Sequence, residues 1–399
     1  MFENLKVIDL GSWLAAPTTA TVMADFGADV IKIEPPPIGD RYRFTQFIPG
    51  FPKAEDNYAW LLTNRSKRSI SLDLKQQSGH AVLLDLVAVA DVLITNYQPA
   101  VLERLKIRYQ DVADTNPRLV YGQLSGYGEK GRDANMRGFD RSSWWARSGM
   151  MHAMRYRGQP PTSGVVGWGD HSSAMSLFAA VMMGLYRRQR TGEGGRVSTS
   201  LLANGLWANA VPLQAALGGA EIQQETPRLD WDNSIAIPYR CRDGHWFCPW
   251  YFEEASGWVA FATAVGLEKL TSDPRFSEEQ ERKKNAKALI TELDARIAEK
   301  DWAQWREIFD RDDVPYFPVA TTDDVLCDPQ IEINDGFLHF DDAPYRAQRT
   351  VNSPVWVDGV AKRIHRPAPE YGEHSDEVLR ELGYDDDRID ALRQQGVLK

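Results

Sequence analysis

The sequence predicts an α/β fold, in which a doubly wound parallel sheet is followed by a smaller α+β domain. Short runs of apolar and β-branched residues alternate with helical runs through the first half of the chain. The composition changes at about residue 226, where a hairpin pattern and charged helical segments begin. From about residue 321 the chain returns to short strands and helices. We therefore expect a large domain at 1–225, a small domain at 226–320, and a segment 321–399 that rejoins the large domain.

Strands and helices alternate along the large domain, which is the pattern of a parallel sheet with helical connections. The predicted strands are residues 6–10, 29–34, 69–74, 91–96 and 118–128, and the predicted helices are residues 17–27, 76–90 and 99–105. Residues 35–43, PPPIGDRYR, should form a loop, because proline is not tolerated inside a helix. A further turn, strand and helix are expected within residues 190–205.

Ligands on such sheets bind in the loops beyond the carboxyl ends of the strands. In this chain those loops are residues 10–17, 34–43, 73–76, 96–99 and 125–131. No GxGxxG motif follows the first strand, and no GxxxxGK[ST] motif occurs. The usual phosphate loops of dinucleotide and nucleotide sites are therefore not indicated.

The small domain begins with a predicted β-hairpin. Residues 237–250, IPYRCRDGHWFCPW, place Asp243 and Gly244 at the turn. Cys241 and Cys248 flank this turn and are expected to be packing residues. Residues 302–309, WAQWREIF, carry apolar side chains at helical spacing and should contribute to the core.

Composition and charge limit the classes of function. The 399 residues are 43% hydrophobic and 26% charged, which is ordinary for a globular protein. The net charge of −10 disfavours nucleic acid as a partner, because phosphate binding needs a basic surface. Three cysteines without zinc-site spacing indicate a reducing compartment and no metal site. With no signal-peptide pattern and no run of about 18 apolar residues, we expect a cytoplasmic protein that does not enter a membrane.

The stretch GWGDH, residues 167–171, is the strongest candidate for the chemistry. The helical run behind it is apolar on nearly every side as far as Tyr186, so this helix is expected to be buried. Asp170 occupies a position typical of an N-cap, where free backbone N–H groups favour an anion. Gly167 and Gly169 carry no side chain, so another molecule could approach the backbone closely. This stretch alone leaves Asp170 either a helix cap or a reactive carboxylate.

Further motifs accompany this stretch along the chain. They are LAAP (14–17), GADVIKIEPP (27–36), NRSKRSISLDLK (64–75), NYQPAVLERL (96–105), NPRLVYGQLSGYGEKG (116–131), GFD (138–140), RRQRTGEGGRVSTSL (187–201) and APEYGEHSDEVLRELG (368–383). Each motif is weak by itself. The ordered set covers nearly the whole chain and resembles the class III CoA-transferases, the family of formyl-CoA transferase and carnitine CoA-transferase.

The resemblance implies a Rossmann-like large domain, a small domain, and a homodimer of two interlocked chains. It identifies Asp170 as the catalytic residue. Its carboxylate would attack an acyl-CoA thioester and later carry CoA as an aspartyl thioester. Coenzyme A and acyl-CoA are then substrates, a carboxylic acid is the acceptor, and no permanently bound cofactor or metal is required.

The positions that match the family's CoA contacts lie in the strand-end loops and beside them. They are Leu14, Ala15, Leu72, Asp73, Leu74, Lys75, Asn96, Tyr97, Gln98, Arg104, Ser125, Gly126, Tyr127 and Gly128. Lys75 and Arg104 suit phosphate groups, although Arg104 also fits a solvated helix face. Tyr97 or Tyr127 could lie against the adenine ring.

Leu72 and Leu74 are strand positions, so at least one of them should face the core instead of a ligand. Arg41 or Arg43 is a further candidate for a phosphate contact, with a surface loop as the alternative.

Some residues depart from the pattern of formyl-CoA transferase. Leu14 replaces a glutamine that contacts the reacting centre there, so a formyl and oxalate pair is disfavoured. The chain looks closer to the carnitine and 2-hydroxy-acid or aryl-acid transferases. Trp144 and Trp145 suggest bulky acids, although two tryptophans equally suit the core.

Two other functions are open on the sequence. A racemase of 2-methylacyl-CoA esters has a related fold and needs two acid/base groups beside the α-carbon. The racemase pattern Gly-His-Asp is replaced here by Gly138-Phe139-Asp140, and phenylalanine cannot move a proton, although His171 is a possible substitute base. A catalytically silent CoA-binding protein is the second alternative, and the presence of Asp170 disfavours it.

Overall fold

The chain divides into two units. The computed structural model describes residues 1–251, 254–340 and 345–399. The first unit contains residues 1–154, 161–222 and 335–399, and the second contains residues 155–160 and 223–334. Residues 321–334 thus belong to the second unit, beyond the predicted boundary at 320. They directly follow a strand that pairs with the hairpin of that unit, and Asp324 lies 3.8 Å from His245 within it.

Six parallel strands form the sheet of the first unit. They are β1 (Lys6–Leu10), β2 (Asp29–Glu34), β3 (Lys67–Ser71), β4 (Val92–Thr95), β5 (Val120–Ser125) and β6 (Gly195–Ser200). Their order is β3-β2-β1-β4-β5-β6, with Val7 opposite Val30 on one side and Val92 on the other. The predicted parallel α/β sheet is confirmed, and this strand order is that of doubly wound sheets. The order reverses between β1 and β4.

The helices of this part of the chain lie between the strands and after them. They are α1 (Ala15–Asp25), α2 (Tyr58–Asn64), α3 (Gln77–Val89), α4 (Pro99–Leu105), α5 (Tyr109–Val112), α6 (Met150–Ala153), α7 (Trp168–Thr191), α8 (Leu201–Ala208) and α9 (Ala210–Leu217). A 3-10 helix spans Arg41–Phe47 and a π-helical turn spans Asp140–Ala146.

Two local predictions are corrected. The predicted loop 35–43 ends at Asp40, whose side chain accepts a hydrogen bond from the Tyr42 N–H and caps the 3-10 helix. The third strand ends at Ser71 rather than at residue 74. After β3 the chain turns, because Asp73 donates its N–H to the carbonyl of Val397 instead of to a neighbouring strand.

Both faces of the sheet are covered, as a parallel sheet requires. Ile8 of β1 packs in one core with Leu83 of α3. Val7, one residue earlier and on the opposite face, packs in a second core with Ala20 of α1 and Val181 of α7. The carboxyl ends of the strands are therefore held between two packed layers.

The second unit has an antiparallel sheet and its own core. Its strands are β7 (Tyr239–Arg240), β8 (Trp246–Pro249) and β9 (Tyr316–Val319), and its helices are α10 (Glu254–Ala264), α11 (Glu279–Lys284), α12 (Ala286–Ile297), α13 (Trp302–Arg311), α14 (Thr322–Cys327) and α15 (Pro329–Ile333). Short 3-10 helices span Arg228–Asp230 and Glu268–Ser272.

The predicted hairpin and core helix of this unit are confirmed. The Cys241 N–H donates to the carbonyl of His245 at 2.8 Å, and Gly244 takes a left-handed φ of +91° at the turn. Cys241 and Cys248 are buried free thiols. Trp305 and Phe309 of α13 are fully buried.

The last residues of the chain return to the first unit. They form β10 (Phe337–His339), β11 (Arg349–Val351), α16 (Ser375–Glu381) and α17 (Asp386–Gln394). Leu379 and Leu392 pack in the same core as Ile8, and Arg68 of β3 pairs with Glu377 and Glu381 of α16 at 2.9 and 2.7 Å. Among the described residues, none of the helices combines the length and the apolar character that a membrane span needs.

Candidate active site

Asp170 lies in the first turn of α7, but it does not cap the helix. Gly167 is the capping residue and takes a left-handed φ of +101°, which turns the chain into the helix three residues before Asp170. The predicted N-cap position is therefore wrong. The carboxyl group of Asp170 still lies at the positive end of the helix dipole, where a negative charge is favoured.

The carboxylate of Asp140 occupies the end of the helix instead. Its Oδ2 accepts a hydrogen bond from the Gly167 N–H at 2.8 Å, and its Oδ1 accepts one from the Gly169 N–H at 2.9 Å. Asp140 is buried and begins the π-helical turn, a local geometry that often occurs at functional sites. Two backbone donors that the sequence suggested for a ligand are thus used by a side chain of the protein.

The glycine before Asp170 makes room for this contact. A Cβ atom on Gly169 would overlap Oδ1 of Asp140 and the indole of Trp144. The expected space for another molecule beside Gly169 is therefore filled by the protein itself. Trp144 and Trp145 are both buried, so their rings pack around the start of α7.

The two neighbouring carboxyl groups influence each other. Burial, and after it the nearby charge of Asp140, together raise the pKa of Asp170 to about 7. Burial also raises the pKa of Asp140. Asp170 therefore exchanges its proton close to neutral pH, which is typical of reactive groups.

The residue after Asp170 is a neutral imidazole at neutral pH. Burial lowers the pKa of His171, and the positive charge of Arg65 lowers it further. Arg65 is itself paired with Asp25 at 2.7 Å. His171 thus presents one donor and one acceptor nitrogen and no charge.

Leu14 and Tyr42 belong to the strand-end loops and lie near the turn that carries Asp170. Leu14 is buried, and its Cδ1 lies 3.4 Å from the position that a Cβ on Gly167 would take. The pKa of the buried Tyr42 hydroxyl is raised, first by burial and then by the charge of Asp170. An apolar side chain therefore lies against the start of α7, and the charge of Asp170 acts on a buried phenol.

Several predicted CoA-binding residues meet where the strand order reverses. The Ser12 N–H donates to Oδ1 of Asn96 at 2.9 Å, and Nδ2 of Asn96 donates to the carbonyl of Ser12 at 2.7 Å. This pair joins the loop after β1, which carries Leu14 and Ala15, to the loop after β4, which carries Tyr97. Ligands bind at this switch point in doubly wound sheets.

A cavity of about 350 Å³ lies at the same edge of the sheet. Its lining includes Ser12, Tyr97 and Lys75 from three different strand-end loops, together with Arg41. Arg41 and Lys75 are both exposed, so two cations stand at this cavity. Such a cavity suits the phosphate groups of a ligand.

Arg43, the other candidate from this loop, has a structural role. Its guanidinium pairs with Glu34 at 2.6 Å and stacks over the ring of Trp60 at 3.7 Å. Only a tenth of its side chain is exposed. Between the two arginines, the structure therefore favours Arg41 as a phosphate contact.

The predicted contacts on the segment after β3 divide into side chains and backbone. Leu72 and Leu74 are buried in the core with Ile8, so their side chains do not face a ligand. Asp73 accepts the Lys75 N–H at 3.0 Å and holds the turn. Within this segment, the side chain of Lys75 is the exposed one.

The remaining predicted residues lie after β4 and β5. Gln98 precedes α4, and Arg104 lies on α4 with its side chain exposed. Ser125 ends β5, and its Oγ accepts the Gly128 N–H at 3.1 Å. Other residues of this group pack locally: Gly126 lies against the backbone of Gly138, and the ring of Tyr127 lies 5.9 Å from the guanidinium of Arg147.

A buried charge network supports these loops, and sequence reasoning missed it. Lys67 pairs with Asp9 at 2.8 Å, and Lys32 lies 3.1 Å from Asp40. Asp40 also accepts hydrogen bonds from the Ser12 hydroxyl and the Trp13 N–H. The signal was present in β2, DVIKIE, because charged residues inside a buried strand need buried partners.

The described residues include no group of three or more His, Cys, Asp and Glu side chains placed to hold a metal ion. The groups suited to a ligand are the cations of the cavity and the carboxyl group of Asp170. The first unit thus contains a carboxyl group that could act as a nucleophile and a cavity that could bind an anion.

Comparisons with known proteins identify the family of the chain. Residues 2–375 match the model of CoA-transferase family III. The chain is 29% identical to the (R)-2-hydroxy-4-methylpentanoate CoA-transferase of Clostridioides difficile, over 100% of both chains. It is 32% identical to the cinnamoyl-CoA:phenyllactate CoA-transferase of Clostridium sporogenes, over 99% of this chain and 96% of the relative. It is 29% identical to the human succinyl-CoA:glutarate CoA-transferase, over 99% and 89%.

The fold is similar to that of a solved structure as well. A CAIB/BAIF family protein from Brucella suis superimposes with a TM-score of 0.85 at 25% identity, covering 96% of this chain and 99% of that chain. The family match spans both units and the segment that carries Asp170. This chain therefore belongs to the class III CoA-transferases and is an enzyme of that family.

Proposed function

We propose that the enzyme moves CoA between an acyl-CoA thioester and a free carboxylic acid through a covalent intermediate on Asp170. The observation that carries this proposal is the carboxyl group of Asp170 in the first turn of α7, with its pKa raised to about 7. A carboxylate of raised pKa is more basic and therefore a better nucleophile in its ionised form. No proton has to move during the exchange when Asp170 starts ionised.

The first half of the reaction loads CoA onto the enzyme. An oxygen of Asp170 attacks the thioester carbonyl carbon, the C–S bond breaks, and the CoA thiolate departs. A mixed anhydride of Asp170 and the donor acid remains. The thiolate then attacks the carbonyl carbon of the Asp170 side chain. The donor acid departs as a carboxylate, and an aspartyl-CoA thioester remains.

The second half reverses these steps with another acid. The acceptor carboxylate attacks the aspartyl-CoA carbonyl, the thiolate leaves, and a new mixed anhydride forms. The thiolate attacks the acyl carbon of the acceptor, and the Asp170 carboxylate is released. The products are a new acyl-CoA and the unchanged enzyme.

The surroundings of Asp170 suit such intermediates. Leu14 and Trp144 bring apolar surface to the catalytic turn, which disfavours water that would hydrolyse an anhydride. The developing oxyanions need donors. Asp140 takes the N–H groups of Gly167 and Gly169, so we assign this role to the first-turn N–H groups of Trp168 and Asp170.

We place the CoA nucleotide at the strand-end cavity. Arg41 and Lys75 would bind phosphate groups, and Arg104 on α4 offers a third cation. Tyr97 lines the cavity and suits the adenine ring. Backbone groups of residues 72–74 would complete the contacts, because their leucine side chains are buried.

The names of the relatives do not by themselves choose the acid. They include enzymes for a branched hydroxy acid, for phenyllactate and for glutarate. Leu14 lies beside Gly167 and provides no polar group for a small diacid. We therefore propose an acid larger and more apolar than formate or oxalate.

We also propose that the enzyme works as an interlocked homodimer, as the family resemblance implies. Large apolar side chains of the first unit are exposed on the single chain, among them Met183 of α7, Trp207 of α8 and Val211 of α9. Exposed apolar surfaces of this kind often form the interface with a partner chain. Light scattering should give twice the 45.1 kDa chain mass, and mixed tagged and untagged dimers should not exchange subunits without unfolding. A stable monomer would contradict this proposal.

Trapping the intermediate tests the proposed mechanism. Incubation with a panel of acyl-CoA thioesters, followed by mass spectrometry of the peptide that contains Asp170, should show the mass of CoA added to this residue. Asp170→Ala should abolish the adduct and lower the rate of transfer by about 10⁴-fold or more. CoA binding, measured by calorimetry, should remain in this variant.

Two outcomes would contradict the mechanism. Transfer that persists in Asp170→Ala would place the nucleophile elsewhere. Rapid exchange of the α-proton of an acyl-CoA for deuterium, without any acceptor acid, would indicate a racemase instead.

A further inference from the structure

We propose that Trp13, Tyr42 and Phe139 form an aromatic wall beside Asp170 that selects an acid with a bulky apolar substituent. The substituent would be an aryl or branched alkyl group next to the carboxyl group that receives CoA. Small diacids would be poor substrates. This inference rests on the proposed role of Asp170, and it adds the class of acid and the residues that recognise it.

The three rings are in continuous contact. The ring centroids of Trp13 and Tyr42 lie 6.2 Å apart, and those of Trp13 and Phe139 lie 6.2 Å apart in an edge-to-face arrangement. Trp13 is thus the centre of the wall. Trp13 is partly exposed and Phe139 about half exposed, so these two rings can receive a further aromatic or branched group.

The wall is joined to the start of α7 at both ends. At one end, Leu14 packs in one cluster with Trp13 and Tyr42, and its Cδ1 lies 3.4 Å from the position that a Cβ on Gly167 would take. At the other end, Phe139 directly precedes Asp140, whose carboxylate binds the N–H groups of Gly167 and Gly169. The position of the wall relative to Asp170 is therefore set by the same contacts that begin α7.

Trp13 is held in a strained backbone conformation. Its φ of +65° is a left-handed value that bulky residues rarely adopt. The Trp13 N–H donates to both oxygens of Asp40 at 3.1 and 3.2 Å, and Lys32 balances the charge of that carboxylate. Strain that the surroundings maintain in this way is common where a side chain must be aimed at a ligand. Leu14, the next residue, is directed at Gly167 by the same turn.

Phe139 is the part of the wall that is available to a ligand. About half of its surface is exposed, although it lies between the buried Asp140 and the ring of Trp13. Its backbone is fixed, because its N–H donates to Oγ of Ser142 at 2.9 Å. The ring of Phe139 is large, apolar and exposed, and its backbone is fixed. Such a ring is suited to pack against an apolar part of the substrate.

The local charge favours a monoacid over a diacid. The carboxyl group next to Asp170 is that of Asp140, which is buried and which would repel a second carboxylate of the substrate. The nearby cation Arg65 is already paired with Asp25. An apolar substituent meets no such penalty and gains by leaving water.

A comparison of acceptor acids tests this inference. With one acyl-CoA donor held constant, kcat/KM should be measured for 3-phenylpropionate, 4-methylpentanoate, acetate, oxalate and succinate. The bulky monoacids should exceed acetate, oxalate and succinate by at least about 100-fold, the size of about 3 kcal/mol of apolar contact. Phe139→Ala should reduce this preference about tenfold or more, and Phe139→Tyr should retain it.

The matched control is Phe47→Ala. Phe47 is an exposed ring of the same 3-10 helix that carries Tyr42, and its removal should leave the preference unchanged. Circular dichroism would establish that the variants are folded.

The outcomes separate this inference from the proposed mechanism. If CoA is transferred but succinate or oxalate is the best acceptor, or if Phe139→Ala leaves the preference intact, the aromatic wall does not select the acid. If the folded enzyme forms no aspartyl-CoA with any thioester, the proposed mechanism itself fails.

Discussion

At the scale of single residues, we expect the reactivity of Asp170 to depend on a second carboxyl group. Asp140 binds two backbone N–H groups of the helix start and is buried beside Asp170. It holds the turn that carries Asp170 in place, and after burial its charge is the second cause of the raised pKa of Asp170. One residue thus contributes to both the position and the proton affinity of the proposed nucleophile.

The rate of transfer should therefore depend on pH near neutrality, and Asp140→Asn should change this dependence. The reactive form is the carboxylate, so kcat/KM should fall about tenfold per pH unit below the raised pKa of about 7 and level off above it. In Asp140→Asn the negative charge near Asp170 is gone, so the pKa of Asp170 should fall. The midpoint of the kcat/KM profile should therefore move to lower pH. The rate above the midpoint should also fall, because an amide has one acceptor oxygen where the carboxylate had two.

The control for this prediction is Asp114→Asn, since Asp114 is an exposed carboxylate of the same unit. Its pH profile should equal that of the unchanged enzyme. An unchanged midpoint in folded Asp140→Asn would show that Asp140 does not act on Asp170 through charge.

At the scale of elements, the start of α7 joins three segments of the chain. Gly167 begins the helix with a left-handed φ, Gly169 provides the space for Asp140, and the π-helical turn supplies Asp140 itself. The sequence interpretation assigned the glycines to ligand access. Their role in the structure is the close packing of the turn that carries Asp170.

Gly169→Ala should therefore impair the enzyme, although alanine favours helices by about 1 kcal/mol over glycine. The added methyl group overlaps the Asp140 carboxylate and Trp144, and overpacking of this kind costs about 1–3 kcal/mol. Differential scanning calorimetry should show a lower Tm. Displacement of the turn should lower kcat by about 100-fold.

Ser172→Ala, in the same turn, is the matched control, because Ser172 is exposed and makes a single hydrogen bond to the Gly169 carbonyl. It should change Tm little. If Gly169→Ala keeps the Tm and the kcat of the unchanged enzyme, the turn tolerates displacement and the packing account is wrong.

At the scale of the whole molecule, the end of the chain completes the core under the sheet. Val378 and Leu379 of α16, Leu392 of α17, and Val397 are buried with residues of β1 and α3. The Asp73 N–H, in the loop after β3, donates to the carbonyl of Val397 as well. This strand-end loop thus depends on a residue from the far end of the sequence.

Removal of residues 368–399 should prevent cooperative folding. Each large apolar side chain contributes roughly 1.5–3 kcal/mol on burial, and several of them together approach the total stability of about 5–15 kcal/mol of a typical protein. Urea unfolding followed by circular dichroism should show no single transition for the truncated chain. Removal of Lys399 alone, which is exposed, should leave the transition in place. A cooperative transition in the truncated chain would mean that this segment is not part of the folding unit.

The sequence by itself determined the order of the strands along the chain and the candidate nucleophile. Runs such as KVIDL and DVIKIE are typical of strands that are buried on both faces of a sheet. This pattern lies within a few neighbouring residues, so it can be read from the sequence. Strands 6–10 and 29–34 were therefore predicted with the bounds that they have in the structure. Asp170 was found from its glycines and the helix behind it, and from its place in the ordered set of motifs. The strand-end loops were found because a parallel sheet places its ligand at one edge.

The tertiary structure alone decided how that nucleophile is held. Asp140 accepts a hydrogen bond from the N–H of Gly167, 27 residues later, a distance over which no helical or strand periodicity connects two residues. The aromatic wall likewise joins Trp13 to Phe139, and the buried pair of Lys32 and Asp40 joins a strand to a loop. Backbone hydrogen bonds and apolar periodicity act between near neighbours and can be read from the sequence. Charge pairing and ring packing at this site act between distant segments, and they become defined only when the sheet brings its loops to one edge.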